Sequence, residues 1–464
     1  MTVTNEGIAA LRTSMRGLVL APADPEYDAV RRVWNGQIDR HPAVIARCTE
    51  PDDVAAAIAF ARAHELMIAV RGGGHNYSGN AVVEGGLMLD LSLMRDVTVD
   101  PEAKRARVQG GATWADLDGA TQQHGLATVG GYISHTGVGG LTLGGGMGWL
   151  TRKAGLTIDN LVGAQVVTAD GQILRASANE HPDLFWALRG GGGNFGVVTE
   201  FEYQLHDVGP LVHLGLFFWA VEDGAAALRF ARDFIRSVPA EYGTMIAGLS
   251  APPAPFVPEE HHFKPGFAMG ILGLGSAEEH AAAMAGVTAA PPRLFDLVTP
   301  IPYFEVQRML DDAAPPGFYG YEKALYLDEL SDAVIDLMVD FTPRKHSPLT
   351  ITPIFDLSHA FARVGDDETA FGGTRAPGFA FNIAGLAPVA ELFEPERAWV
   401  RDYWDALKPH ARGSGSYVNF MVENEQDRVE SAYGSSKFAR LQRIKAQYDP
   451  ENVFRMNVNI PPAS

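Results

Sequence analysis

Residues 69–79 read AVRGGGHNYSG. The end of a short apolar run, MIAV at 67–70, leads into Gly72, Gly73 and Gly74, and these lead into His75. Glycine lets a backbone approach a ligand closely and take positive φ. Its exposed N–H groups can cradle a pyrophosphate. A nucleophilic ring at the end of such a run is therefore a candidate for chemistry on whatever the backbone cradles. A histidine in a loop is more commonly a satisfied hydrogen-bonder. Metal ligation is disfavoured, because no histidine or carboxylate stands at i+2 or i+4.

Three further stretches repeat the theme. They are His135, Thr136, Gly137, Val138, Gly139 and Gly140; then Gly144 to Gly146 with Met147 and Gly148; then Arg189, Gly190 to Gly193, Asn194, Phe195 and Gly196. None is a G-x-G-x-x-G turn between strand and helix with an acid about 20 residues on, and none is a G-K-[ST] phosphate loop. Tight turns explain any one of them. Four together point to a ligand, because so many unsupported glycines cost folding entropy.

Composition sets the frame. At roughly 150 residues per domain, 464 residues suggest two or three domains. The hydrophobic fraction of 46% and mean hydropathy of -0.03 allow a large core in a soluble chain. With 56 acidic against 37 basic residues the net charge is -19, which opposes binding to nucleic acid or anionic membranes. Cys48 is the single cysteine, so no internal disulfide and no CxxC site can form. The N-terminus lacks a basic segment followed by a long apolar run, and no window reaches about 18 apolar residues. These limits fit a cytoplasmic enzyme.

The pattern along the chain is α+β. CTEPDDVAAAIAFARAHEL predicts a helix capped by Thr49, with Pro51, Asp52 and Asp53 in its first turn. MIAV, the alternating GGLMLDLSL, RARVQGG and FGVVTEFEYQL predict strands. TWADLDGATQQHG predicts a short helix capped by Thr113 with Asp116. AQVVTADGQILRAS predicts a hairpin with positive φ at Asp170 and Gly171. From about 206 to 410 glycine thins out, and apolar strands alternate with amphipathic helices such as GAAALRFARDFIRSV and LDELSDAVIDLMVDF. A terminal helix, SSKFARLQRIKAQYDP, puts Phe438, Leu441, Ile444 and Tyr448 near one face.

Taken together, AVRGGGHNYSG, GGLMLDLSLM, QGGATWADL, SHTGVGGLTLGGGMGWLTRKAGLTIDNL, DLFWALRGGGGNFGVVTEFEYQL and YGSSKFARLQRIKAQYDPENVFRMNVNIPP resemble the berberine-bridge-enzyme-like FAD-linked oxidases. These belong to the vanillyl-alcohol-oxidase and p-cresol-methylhydroxylase superfamily. The resemblance covers nearly the whole chain, densest at 44–205 and 412–462, and is strongest to bacterial members from secondary metabolism. It implies an α+β fold with a two-part FAD-binding domain at 1–205, a substrate domain with an antiparallel sheet covered by helices at 206–410, and a C-terminal segment at 411–464 that returns to the FAD domain.

The resemblance also implies roles. The histidine of R-G-G-G-H bonds the flavin 8α carbon in this family, and here it is His75. A second, cysteinyl link occurs in many relatives. Its position falls at about Ile133, so a single histidyl link is implied. Arg71, Gly72, Gly73, Gly74, His75 and Gly79 would wrap the pyrophosphate. Thr136, Gly137, Gly139, Gly140, Gly145 and Gly148 would line the ribityl and pyrophosphate side, and Asn194, Gly196 and Val198 the adenine side. Tyr417, Asn419, Asn457 and Asn459 would join from the C-terminal segment. Tyr417, in SYVNFM, matches the family's Y-x-N-[YF] base, and a base near neutrality needs a tyrosine pKa lowered from about 10. In PLTITPIFDLSHAFARV the family's usual acid is replaced at Pro353 or beside it, leaving Asp356 and His359 as substitutes. Tyr319, Tyr321 and Lys323 are candidate pocket walls.

The reaction implied is hydride transfer from an alcohol or amine of a small secondary-metabolite substrate to flavin N5, with dioxygen as acceptor and peroxide as product. The alternatives are oxygen transfer to a polyketide-like substrate, or a non-catalytic flavin holder. An oligomer is compatible with the sequence.

Overall fold

The computed structural model describes residues 3–413, 417–422 and 426–463, without the side chains of 426–428. Three sheets organise it. The first is four-stranded, in the order Leu18–Leu20, Val44–Arg47, Leu87–Asp90, Ile68–Arg71. Its last three strands run parallel. Leu87–Asp90 is central and every residue in it is buried. The strand expected in GGLMLDLSL forms, and as a central parallel strand it is covered on both faces.

The second sheet is antiparallel and five-stranded: Val97–Asp100, Arg105–Gln109, Val197–Gln204, Leu161–Val167, Ile173–Ser177. The hairpin forms at 161–177 as expected, but only Gly171 has positive φ (84°). The helix after Cys48 is Pro51–Ala63, and Thr49 does not cap it. Asp53 works the other way round. Its carboxylate accepts from the N–H groups of Arg16, Gly17 and Thr49 at 2.7–3.0 Å and ties the N-terminal strand to the helix start. The second expected cap does form: Asp116 accepts from the Thr113 N–H at 2.7 Å ahead of Trp114–Thr121.

The third sheet has seven antiparallel strands, in the order Phe295–Pro302, Leu211–Ala220, Pro265–Gly273, Gly243–Ser250, Thr352–Leu357, Gly378–Ala387, Tyr319–Leu327. Three amphipathic helices, Gly224–Ser237, Asp332–Phe341 and Phe393–Leu407, cover one face and bury a core that includes Phe267, Phe381, Met338 and Tyr403. The opposite face looks toward the glycine loops.

The terminal helix Ser435–Tyr448 packs back on the glycine-rich half, burying Phe438, Leu441 and Ile444 beside Phe185, Trp186 and Phe195. Lys445 pins it there. Its fully buried Nζ donates to the Asn194 carbonyl at 2.7 Å and to Asp449 at 2.6 Å. Among the described residues no helix is long and apolar enough to cross a membrane, and no group of three His, Cys, Asp or Glu could hold a metal ion.

Candidate active site

A cavity of about 880 Å³ separates the glycine loops from the open face of the seven-stranded sheet. The glycine wall is made by chain segments that touch backbone to backbone. A Cβ on Gly73 would lie 2.3 Å from the Gly137 nitrogen, and a Cβ on Gly137 would lie 2.3 Å from that of Gly73. Only glycine permits this approach. At Gly140, by contrast, a Cβ would meet nothing within 4 Å, so its bare backbone lines open space.

His75 stands at the end of this wall. Trp34 stacks on it at 4.7 Å, and its Nε2 lies 2.9 Å from His135 Nδ1. Desolvation first, and the neighbouring His135 second, push its pKa down to about 3. The ring is neutral at any ordinary pH. His135 is likewise shifted down by burial. Its loop is tied to the sheet side by Asp311, which accepts from the Ser134 N–H at 2.8 Å and Oγ at 2.6 Å.

Fourteen of the residues expected at a cofactor line this cavity: Gly72, Gly73, Gly74, His75, Thr136, Gly137, Gly139, Gly140, Asn194, Gly196, Val198, Tyr417, Asn419 and Asn457. Asn194 is held by the tail, donating to the Val458 carbonyl at 3.0 Å while its Oδ1 accepts from the Ile460 N–H. The other five expected there do not line it. Arg71 turns away to donate to the Val30 carbonyl at 2.5 Å. Gly79 is a positive-φ turn (69°) against Ile38, and Gly145 (φ 139°) sits behind Tyr417. Gly148 abuts the Gly130 carbonyl. Asn459 is also outside the lining set.

The sheet wall corrects more. Strand side chains alternate between faces. On Thr352–Leu357, Pro353 and Phe355 face the cavity, while Ile354 joins the helix-covered core. Asp356 therefore points away from the cavity. Its carboxylate lies 3.2 Å from Arg152 Nε, and Arg152 Nη2 lies 2.8 Å from His359 Nε2. Burial nonetheless raises the Asp356 pKa despite the arginine. Asp356 and His359 are parts of a buried ion-pair cluster and not substitutes for the family's acid. The same parity removes Tyr319, Tyr321 and Lys323. Tyr321 accepts from Arg401 Nε at 3.1 Å, Lys323 lies over Trp404, and Tyr319 packs on Phe393. All three face the helices.

Glu322, between them, faces the cavity. It is 3% exposed and accepts from Asn382 Nδ2 at 3.0 Å. Desolvation pushes its pKa up to about 8, against the pull of that hydrogen bond. Tyr77 and Tyr417 feel its charge, and burial raises both phenols' pKa. The signal for Glu322 was present in GFYGYEK, one residue from those chosen. Which parity faces inward could not be read from the string.

Tyr417 lines the cavity, but its pKa moves opposite to what a base requires. Its oxygen accepts from the Gly146 N–H at 2.6 Å and from Asn419 Nδ2 at 2.8 Å, and burial outweighs both. With two donors on the oxygen, its own proton is left to donate.

The comparisons agree with this geometry. Residues 42–177 match the family model for an FAD binding domain, and 416–461 the model for berberine and berberine-like proteins. The chain is 33% identical to (R)-6-hydroxynicotine oxidase of Paenarthrobacter nicotinovorans over 97% of each chain. It belongs to the berberine-bridge-enzyme-like FAD-linked oxidases. The crystal structure of 6-hydroxy-D-nicotine oxidase from Arthrobacter nicotinovorans superposes with a TM-score of 0.86 at 29% identity, covering 97% of this chain and 99% of the other. Glucooligosaccharide oxidase from Acremonium strictum does so at 0.84 and 25%, covering 99% and 100%. This family member is thus an FAD-linked oxidoreductase with the α+β architecture of its relatives. The glycine cradle fits the cofactor, since bare backbone at Gly140 opens onto a cavity large enough for it.

Proposed function

We propose that this enzyme is an oxidase that carries FAD on His75 through one covalent bond and oxidises the C–H beside an oxygen or nitrogen of a small apolar substrate. The observation that carries the reading is the neutral ring of His75 at the end of the glycine wall, with its Nε2 engaged by His135. With Nε2 beside His135, Nδ1 is the ring nitrogen left to bond the flavin. In the glucooligosaccharide oxidase above, FAD is bonded through an 8α-N1-histidyl and a 6-S-cysteinyl link. The Nδ1 atom of His75 is suited to the first. Ile133 lines the cavity and is the residue that the family motif sets against the second link, so the single link is retained as part of the proposal.

FAD held there would supply the hydride acceptor and the route for the electrons to dioxygen, with hydrogen peroxide as product. The protein's residues do the rest. The glycine loops hold the cofactor through backbone N–H groups. Tyr417 donates its hydroxyl proton into the cavity. Leu216, Met245, Ile351, Pro353 and Phe355 line the sheet side with apolar surface. Apart from the Glu322–Asn382 pair this side is mostly apolar, which favours a largely apolar substrate over an oligosaccharide with many hydroxyls.

Acid precipitation tests the reading. The yellow colour is expected to stay in the wild-type pellet and to wash out of His75→Ala. Wild-type colour in the supernatant would reject the covalent assignment.

A further inference from the structure

The sheet wall holds one carboxyl in an otherwise apolar surface. Among the described residues that line the cavity, the acids are Glu322 and the exposed Asp312, and there is no arginine or lysine. A carboxyl buried without a cation costs several kcal/mol when ionised. Glu322 is nevertheless placed there deliberately. Asn382, from the neighbouring strand Gly378–Ala387, donates Nδ2 to it at 3.0 Å. Asn382 Oδ1 is buried with no hydrogen-bond partner. A carboxylate and an unpaired amide oxygen side by side present acceptors to something that brings several donors. Tyr77 and Tyr417 are the titratable groups that respond to its charge, and both keep their protons. Neither competes for the role of cation.

We propose that Glu322, oriented by Asn382, is the receptor for the ammonium group of an apolar amine substrate and takes the N–H proton that must leave before that amine can be oxidised. An ammonium supplies the donors and the charge that the pair lacks. In the step itself, one N–H bond breaks, its electron pair stays on nitrogen, and the proton joins the Glu322 carboxylate. The neutral amine then gives the hydride of its α C–H to the flavin and becomes an iminium ion. Water hydrolyses that ion to a carbonyl compound and a free amine, while dioxygen takes the two electrons and becomes peroxide. The hydride step rests on the oxidase reading above, whereas recognition of the ammonium does not. The raised pKa of Glu322 suits a group that receives a proton from an amine.

The test uses two ligands that have no transferable hydride: 2-phenylpropan-2-amine and its neutral counterpart 2-phenylpropan-2-ol. Calorimetric titration of the holoprotein at pH 7 is expected to show at least about tenfold preference for the amine. It is also expected to show proton release on amine binding, measured as a dependence on buffer ionisation enthalpy, because the ammonium draws Glu322 into its ionised form. Glu322→Gln should abolish both the preference and the proton release and leave alcohol binding within about twofold. Asn382→Ala should reduce the preference several-fold with Glu322 intact. If Glu322→Gln does not fold, the wild-type proton release and Asn382→Ala decide. Equal binding of the two ligands, binding of neither, or a preference that survives Glu322→Gln would overturn the proposal. Because the ligands are inert, amine selectivity in a protein that yields no peroxide would instead count against the oxidase reading.

Discussion

The two walls of the cavity are built by opposite rules. The glycine wall comes from short contiguous motifs whose backbones touch, as at Gly73 and Gly137. The sheet wall is assembled from strands spread over residues 211–387, several of which contribute alternate side chains, as Pro353 and Phe355 or Asn382, Ala384 and Leu386 do. In the first wall a residue matters because it has no side chain. In the second it matters by which way its side chain points. The lesson is that one residue of register separates a cavity carboxyl, Glu322, from the lysine beside it that packs on Trp404.

The comparison can be broken first at His75. His75→Ala should remove acid-stable flavin entirely, and peroxide formation should fall by orders of magnitude; acid-stable colour in that variant would place the bond elsewhere. Next comes Gly73→Ala, which drives a Cβ to 2.3 Å from the Gly137 nitrogen. Backbone cannot yield as a side-chain end does, so about 3 kcal/mol of stability should be lost. Gly140→Ala, with open space around it and a helical backbone in Val138–Gly144, should melt within a few degrees of wild type and act instead on flavin loading. A matching loss in both variants would show that the cradle is not specific to close approach.

On the sheet, Asp356→Ala should cost about 3 kcal/mol, because it leaves Arg152 buried without its partner. The KM should stay nearly unchanged. Ile351→Ala, on the cavity face, should do the reverse: a several-fold higher KM for an apolar substrate and a smaller loss of stability. Steady-state kinetics beside thermal melts separates the two. A KM change in Asp356→Ala would return that residue to the site.

The last contrast is in pH dependence. In the flavin-free protein His75 is shifted down from 6.5 to about 3, so it contributes stability that is present above about pH 6.5 and lost as pH falls toward 3. Glu322 is shifted up from 4.5 to about 8, so its contribution is present below about pH 4.5 and lost as pH rises through 8. The melting temperature of Glu322→Gln should therefore fall less than that of wild type between pH 4.5 and 8. Parallel curves would mean that Glu322 is solvated.

Much of the glycine wall was legible in the string. His75, Thr136, Asn194 and Asn457 were all picked out and all line the cavity, because each sits in a motif whose meaning is local. His135 stood in a quoted motif with no role, since its partner is 60 residues away. The substrate side was read poorly. Asp356, His359 and Tyr321 are chemically plausible in isolation, and nothing in the alternating pattern of a strand buried on both faces says which face meets the ligand.

The sequence by itself determined the α+β character, the amphipathic helices and the glycine loops, because backbone conformation and amphipathic period are set by neighbours along the chain; the helix-covered sheet was implied by the resemblance to the family. Tertiary structure alone decided that the Tyr417 oxygen accepts from Gly146 and Asn419, that Arg152 claims Asp356, and that Glu322 faces inward beside Asn382. Those outcomes depend on pairing and burial between residues up to 271 positions apart. There desolvation sets the charge states, and no local pattern records it.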